Sequence, residues 1–90
     1  MSSLKIKNLS KTLKSIANYR RLEILYFLLE KENNVGELEQ KMDLSQSALS
    51  QHLAILRKED IVKTRRQSQS IYYSLKDNNV IKILELLKQI

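Results

Sequence analysis

Apolar residues recur at helical spacing along most of this chain and switch to strand-like alternation in one stretch. Leu4, Leu9, Leu13, Ile16 and Ala17 fall at roughly helical intervals with lysines between them, which predicts a first amphipathic helix. Asn18 is suited to cap a second helix carrying Leu22, Leu25, Tyr26 and Leu29 on one side. The segment Glu30–Asn34 is charged and polar, and its two asparagines favour a stop. Asn34-Val-Gly-Glu37 has the form of a capping box, in which each side chain bonds the other residue's amide. It opens a short third helix with Leu38 and Met42 turned inward. After a turn at Asp43-Leu44, Ser45 caps a fourth helix running to about Lys58.

From Ile61 the period changes. Ile61–Arg66 and Ile71–Leu75 are β-branched and aromatic runs separated by the polar Gln67-Ser68-Gln69-Ser70, which predicts a two-stranded hairpin with those four residues at its tip. Alternation sends Val62 and Thr64 to one face and Ile61, Lys63 and Arg65 to the other, and it points Tyr72 and Tyr73 in opposite directions. Asp77 or Asn78 then caps a last helix with Val80, Ile83, Leu84, Leu87 and Ile90 on one stripe. The expected fold is mainly α with a two-stranded β-hairpin wing, in the order α-α-α-α-β-β-α. A helix, a short turn, a second helix and an immediate hairpin form the winged helix-turn-helix layout. Residues 1–90 read as one domain with no internal repeat.

Composition narrows the picture. Proline is absent and glycine occurs once, which weakens any all-β reading. Without cysteine, disulfides, thiolate metal sites and thiol redox switches are excluded within these residues. No apolar run approaches the ~20 residues of a membrane span, and lysines interrupt the N-terminal segment where a signal peptide would be continuously apolar. The expectation is a cytoplasmic protein with no membrane association. The formal charge of +6 is unevenly spread: residues 1–21 carry six basic and no acidic side chains, residues 22–43 are net acidic, and residues 44–76 are basic again. Such a division suits one face for a polyanion and another turned away from it.

The chemistry concentrates on the fourth helix and the hairpin. At 100° per residue, Leu49, Leu53 and Leu56 share one side, with Ser45 and His52 near them. Ser47, Ser50, Gln51, Ala54 and Lys58 lie opposite, flanked by Gln46 and Arg57. Of the serines and glutamines on this side, the serines are poor choices for a merely solvated helix face. Both residue types are good ones for donating to and accepting from base edges in a major groove that admits a helix. The candidate nucleic-acid contacts are therefore Gln46, Ser47, Ser50, Gln51 and Arg57 on the helix, with Lys63, Arg65, Arg66 and Gln67 on the hairpin. His52 sits at the edge of the apolar side and reads as a structural hydrogen-bonding residue. The outer helices carry larger apolar stripes than a three-helix core requires, which favours pairing with a second copy. Catalysis finds no support: there is no glycine-rich phosphate loop, and one histidine without a neighbouring nucleophile makes no triad.

Leu44-Ser-Gln-Ser-Ala-Leu-Ser-Gln-His-Leu53, Leu56-Arg57, Thr64-Arg-Arg66 and Ile71-Tyr-Tyr-Ser-Leu75, with the upstream Arg21–Leu25 and Val35–Leu38, resemble the ArsR/SmtB family of winged-helix repressors. Within it, the chain looks most like the branch of haemolysin-gene activators and biofilm or sulfide-responsive repressors. The resemblance spans about residues 10–90. It implies a homodimer joined through its outer helices, duplex DNA as partner, and His52 as a structural link from the reading helix to the dimer core. Family sensing does not carry over. The thiolate metal site would lie near Asn33–Leu38, the last-helix zinc site needs histidine that Asp77–Ile90 lacks, and Tyr26 stands where the redox branch has its first cysteine, with Ile90 ending the chain before the second. Asp60 stands where the family usually has glycine. The expected function is a dimeric, sequence-specific transcriptional regulator, repressor or anti-repressor, with no cofactor and no identifiable small-molecule ligand. The alternatives are a protein-interaction module of the same fold and a ligand or metal sensor using non-cysteine ligands.

Overall fold

The computed structural model describes residues 1–90. Each helix begins at a side chain that accepts from the first free amides. α1 (Ser3–Ile16) starts at Ser2, and α2 (Tyr19–Glu30) at Asn18, whose Oδ1 accepts from the Arg21 amide at 3.0 Å. A two-residue strand, β1 (Asn33–Asn34), leads into α3 (Val35–Lys41). The capping box is complete: Asn34 Oδ1 accepts from the Glu37 amide at 2.8 Å, and Glu37 Oε1 accepts from the Asn34 amide at 2.9 Å. Ser45 caps α4 (Gln46–Lys58), its hydroxyl accepting from the Ala48 amide at 3.1 Å. Strands β2 (Val62–Gln67) and β3 (Ser70–Leu75) follow, and Asp77 caps α5 (Asn78–Leu87). Caps of this kind each contribute about 1 kcal/mol.

Thirteen buried apolar side chains form one core drawn from every helix and from the start of the hairpin. α3 supplies Leu38, with Met42 just beyond its end; α4 supplies Leu49, Leu53 and Leu56; α5 supplies Val80 and Leu84. On α2 the deepest residues are Ile24, Leu25 and Leu28, whereas Leu22, Tyr26 and Leu29 are only half-buried. The expected stripe was thus displaced, because α2 packs against α1, α4, α5 and β3 and is enclosed on more than one side. The Tyr26 hydroxyl donates to the Leu84 carbonyl at 2.9 Å, tying α2 to α5.

The sheet has three antiparallel strands in the order β1-β3-β2. The hairpin is as expected, and β1 is an addition: Asn33 pairs with Tyr73 and Asn34 with Tyr72. Two asparagines carry no alternation, so nothing in their side chains announces a strand. Asn33 is fully buried, its Nδ2 donating to the Lys31 carbonyl at 2.9 Å and its Oδ1 accepting from Lys41 Nζ at 2.6 Å. The hairpin tip is also tighter than four residues. Gln67 pairs with Ser70, leaving Ser68 and Gln69 as the loop, and Ser68 takes a φ of 57°. Two-residue hairpin loops require such a left-handed residue to match the strand twist.

Ile61 departs from the predicted alternation. It is fully buried, whereas Lys63 and Arg65 are exposed. The cause is Asp60, whose φ of 57° reverses the chain after α4 before β2 begins. Ile61 therefore lies outside the strand's period and fills the core. Its amide donates to the Leu56 carbonyl at 3.0 Å, closing the end of α4.

Candidate nucleic-acid interface

α3 and α4 form the helix-turn-helix, and β2 and β3 the wing beside it. α4 buries its leucines and presents Gln46, Ser47, Ser50 and Gln51 to solvent. None of these four side chains engages in an intramolecular hydrogen bond, so their donors and acceptors are free for a ligand. They occupy the first half of α4, where unpaired amides and the helix dipole favour a polyanion. Arg57 is exposed on the last turn. Together with Val35, Ser50, Leu53, Ala54, Lys58 and Tyr73 it lines an open groove of about 500 Å³ between the helix-turn-helix and β3.

His52 lies behind this surface. Arg21 Nη1 donates to its Nδ1 at 3.1 Å, and Arg21 Nε donates to the Ser15 carbonyl at 2.7 Å. Partial burial, then the positive charges of Arg21 and Arg20, hold the imidazole below its ordinary value of 6.5. A neutral ring with a bare Nδ1 matches the bond it accepts. The sequence suggested a structural role for His52 but gave no sign of Arg21 as its partner, 31 residues away.

On the wing, Lys63, Arg65, Arg66 and Gln67 are all exposed, yet they are not equivalent. Arg65 is engaged on three sides. Its Nε donates to Glu32 Oε2 at 2.9 Å, its Nη1 donates to Gln67 Oε1 at 2.8 Å, and its guanidinium lies 4.6 Å from the centre of the Tyr72 ring. Nη2 also bonds Glu32. The Arg65 guanidinium holds the Glu32 carboxyl below the usual carboxylate range. Lys63 and Arg66 have no such partner. Glu32 was missed by sequence reasoning because its partner is 33 residues distant. Tyr73, on the opposite face, packs against the core. No three histidine, aspartate or glutamate side chains converge as a metal site would require.

The family model for the arsR family of bacterial regulatory proteins matches residues 18–64, which include α2, the helix-turn-helix and the start of the wing. The chain belongs to the arsR family. It is 50% identical over 78 residues to the transcriptional activator HlyU of Vibrio cholerae, an alignment covering 87% of this chain and 72% of that protein. It is 51% identical over 78 residues to the nodulation protein NolR of Rhizobium meliloti, covering 87% of this chain and 64% of the relative. A biofilm growth-associated repressor of Agrobacterium fabrum is 41% identical over 75 residues, covering 83% of this chain and 64% of that relative. Among solved structures, HlyU from Vibrio cholerae superposes with a TM-score of 0.92 at 44% identity, covering 98% of this chain and 96% of that one. A homodimeric winged helix-turn-helix DNA-binding domain from Mycobacterium bovis superposes with a TM-score of 0.86 at 25% identity, covering 98% of this chain and 84% of that one. These relatives bear out the family and the branch read from the sequence. The chain is a DNA-binding transcriptional regulator of winged helix-turn-helix fold, and its relatives are regulators, not enzymes. No helix is long and apolar enough to cross a membrane.

Proposed function

We propose that this regulator acts as a homodimer that reads duplex DNA in sequence-specific fashion, with α4 entering the major groove. Residues 1–90 form one domain in which both outer helices serve the dimer. Gln46, Ser47, Ser50 and Gln51 contact base edges, Arg57 contacts the backbone, and Lys63, Arg66 and Gln67 reach flanking phosphates from the wing. Arg65 belongs to the same surface but is held by Glu32. The observation that carries this reading is the outer face of α4, where four hydrogen-bonding side chains are exposed without an internal partner.

Exposed apolar surface supports the dimer. Leu4, Ile6, Leu9 and Leu13 on α1 are 45–69% exposed, and Leu86 beside the end of α5 is 66% exposed. An apolar groove of about 240 Å³ runs between α1 and α5 through Leu9, Leu13, Val80 and Ile83. Patches of this kind mark interaction surfaces, and the mycobacterial neighbour is a homodimer. Two copies would present two reading helices to half-sites about one DNA turn apart. The family's thiolate sensor chemistry has no residues to work with here, since the chain has no cysteine. Occlusion of a promoter is the simplest mode of action.

The test is recovery of bound sequences from a random duplex pool, followed by Gln51→Ala on the selected site. Loss of about 1–3 kcal/mol on that site, with little change on random DNA, is the expected result. Equal losses on both would remove Gln51 from base reading, and failure to enrich any sequence would favour a protein-interaction module instead.

A further inference from the structure

The strongest concentration of charge in the sequence lies outside the surface just described. Residues 1–21 carry six cations and no acid. Lys7, Lys11 and Lys14 stand at i, i+4 and i+7, on one face of α1. At 100° per residue this face lies roughly 130° around the helix from Ile6, Leu9 and Leu13, with Leu4 on the lysine side just before Lys7. Lys11 and Lys14, further along α1, are therefore set apart from the stripe of Ile6, Leu9 and Leu13, and all three lysines are exposed.

This lysine face meets the last turn of the reading helix. An open seam of about 250 Å³ between α1 and α4 is lined by Lys11, Lys14, Arg21, Lys58 and Glu59. Four cations face one carboxylate. That carboxylate is only loosely paired, with Lys11 Nζ 3.9 Å from Glu59 Oε2 and the Lys11 side chain 67% exposed. Arg21 is fixed in place by Ser15 and His52, which use two of its five N–H donors and leave three. Lys58 lines both this seam and the groove beside Ser50 and Arg57. A single cationic track thus runs from the reading face of α4, past its C-terminal end, onto α1.

We propose that the α1–α4 seam is a second phosphate-binding surface, in which Lys11, Lys14 and Lys58 grip the DNA backbone adjoining the groove read by α4. Continuity through Lys58 favours the same duplex as occupant over a separate acidic partner. Such contacts position the protein and carry no sequence information. The track would account for the N-terminal charge, which the helix-turn-helix and wing leave unused. The inference rests on the DNA-reading role of α4.

The test measures binding of the full chain to a fluorescent random-sequence duplex over a range of KCl concentrations. Each phosphate contact contributes about 0.9 to the slope of log affinity against log salt. Lys11→Gln combined with Lys14→Gln is expected to lower that slope by about 2 and to weaken random and selected DNA by the same factor. Lys31→Gln, an exposed lysine just after α2 and outside the seam, is expected to leave it nearly unchanged. If the double variant keeps the wild-type slope, or loses no more than Lys31→Gln does, the seam is not a phosphate surface and the α4 reading stands. If the wild-type chain binds duplex DNA without salt dependence, both are overturned.

Discussion

Arg21 on α2 and His52 on the reading helix are joined by a 3.1 Å hydrogen bond from Nη1 to Nδ1. The same guanidinium holds the Ser15 carbonyl at the end of α1. One side chain therefore sets α4 against α2 and against α1, one of the two outer helices proposed to meet a second copy. Protonating His52 would place a hydrogen on the accepting nitrogen and a charge beside Arg21 and Arg20.

The pH dependence follows from that arrangement. The folded-state value of His52 lies below its ordinary 6.5, so the unfolded chain binds more protons than the folded one in the window beneath 6.5. This contribution is fully present above pH 6.5 and is lost as pH falls through 6.5 toward the folded-state value. His52→Gln keeps an acceptor for Arg21 but does not titrate. Thermal melts from pH 7.5 to 5.5 should show a shallower decline in Tm for this variant, and its DNA affinity at pH 7.5 should stay near wild type. A large loss of specific binding at pH 7.5 would instead place His52 at the bases.

The wing arginines should separate on substitution. Arg65 is engaged with Glu32, Gln67 and Tyr72, whereas Arg66 has no internal partner. Arg66→Gln is expected to reduce the salt slope by about 0.9, and Arg65→Gln by clearly less. Glu32→Gln should release Arg65 and steepen the slope. Identical behaviour of the two arginine variants would show that the Glu32 contact gives way when DNA arrives.

Asn33 makes a separate prediction about the fold. It is fully buried and bonded to the Lys31 carbonyl and to Lys41. Asn33→Ala should cost about 1–3 kcal/mol, because it strips partners from groups that remain in place. In urea unfolding the midpoint should fall without a change in slope. A neutral result would mean that water replaces the amide.

The dimer predicts a coupled loss. Leu9→Glu with Leu13→Glu puts charge on the exposed stripe of α1 without touching the reading face. Sedimentation should show a monomer, and affinity for a site with two half-sites should fall by about 10²-fold or more as avidity is lost. A variant that stays dimeric would move the interface elsewhere.

Much of the architecture was legible because its signals are local. Asn18, Asn34, Ser45 and Asp77 each cap the helix their sequence announces, and the exposed and buried sides of α4 fall where a 100° wheel puts them. At Asp60 the only sign of a left-handed residue was the resemblance, through the glycine the family usually has there. Less was visible where partners are distant. β1 is a strand only because β3 lies beside it, and Arg65 differs from Arg66 only because Glu32 is folded against the wing.

By itself, then, the sequence determined the order of the five helices and the hairpin, the face of α4 that carries Gln46, Ser47, Ser50 and Gln51, and the excess of cations near the N-terminus. Capping, helical period and charge are properties of neighbouring residues, and they need no knowledge of the rest of the chain. The tertiary structure alone decided that Arg21 reaches His52, that Arg65 is restrained, and that Lys11 and Lys14 adjoin Lys58 across the α1–α4 seam. Those relationships depend on how helices cross once their apolar sides are buried, and the crossing is set by the whole core.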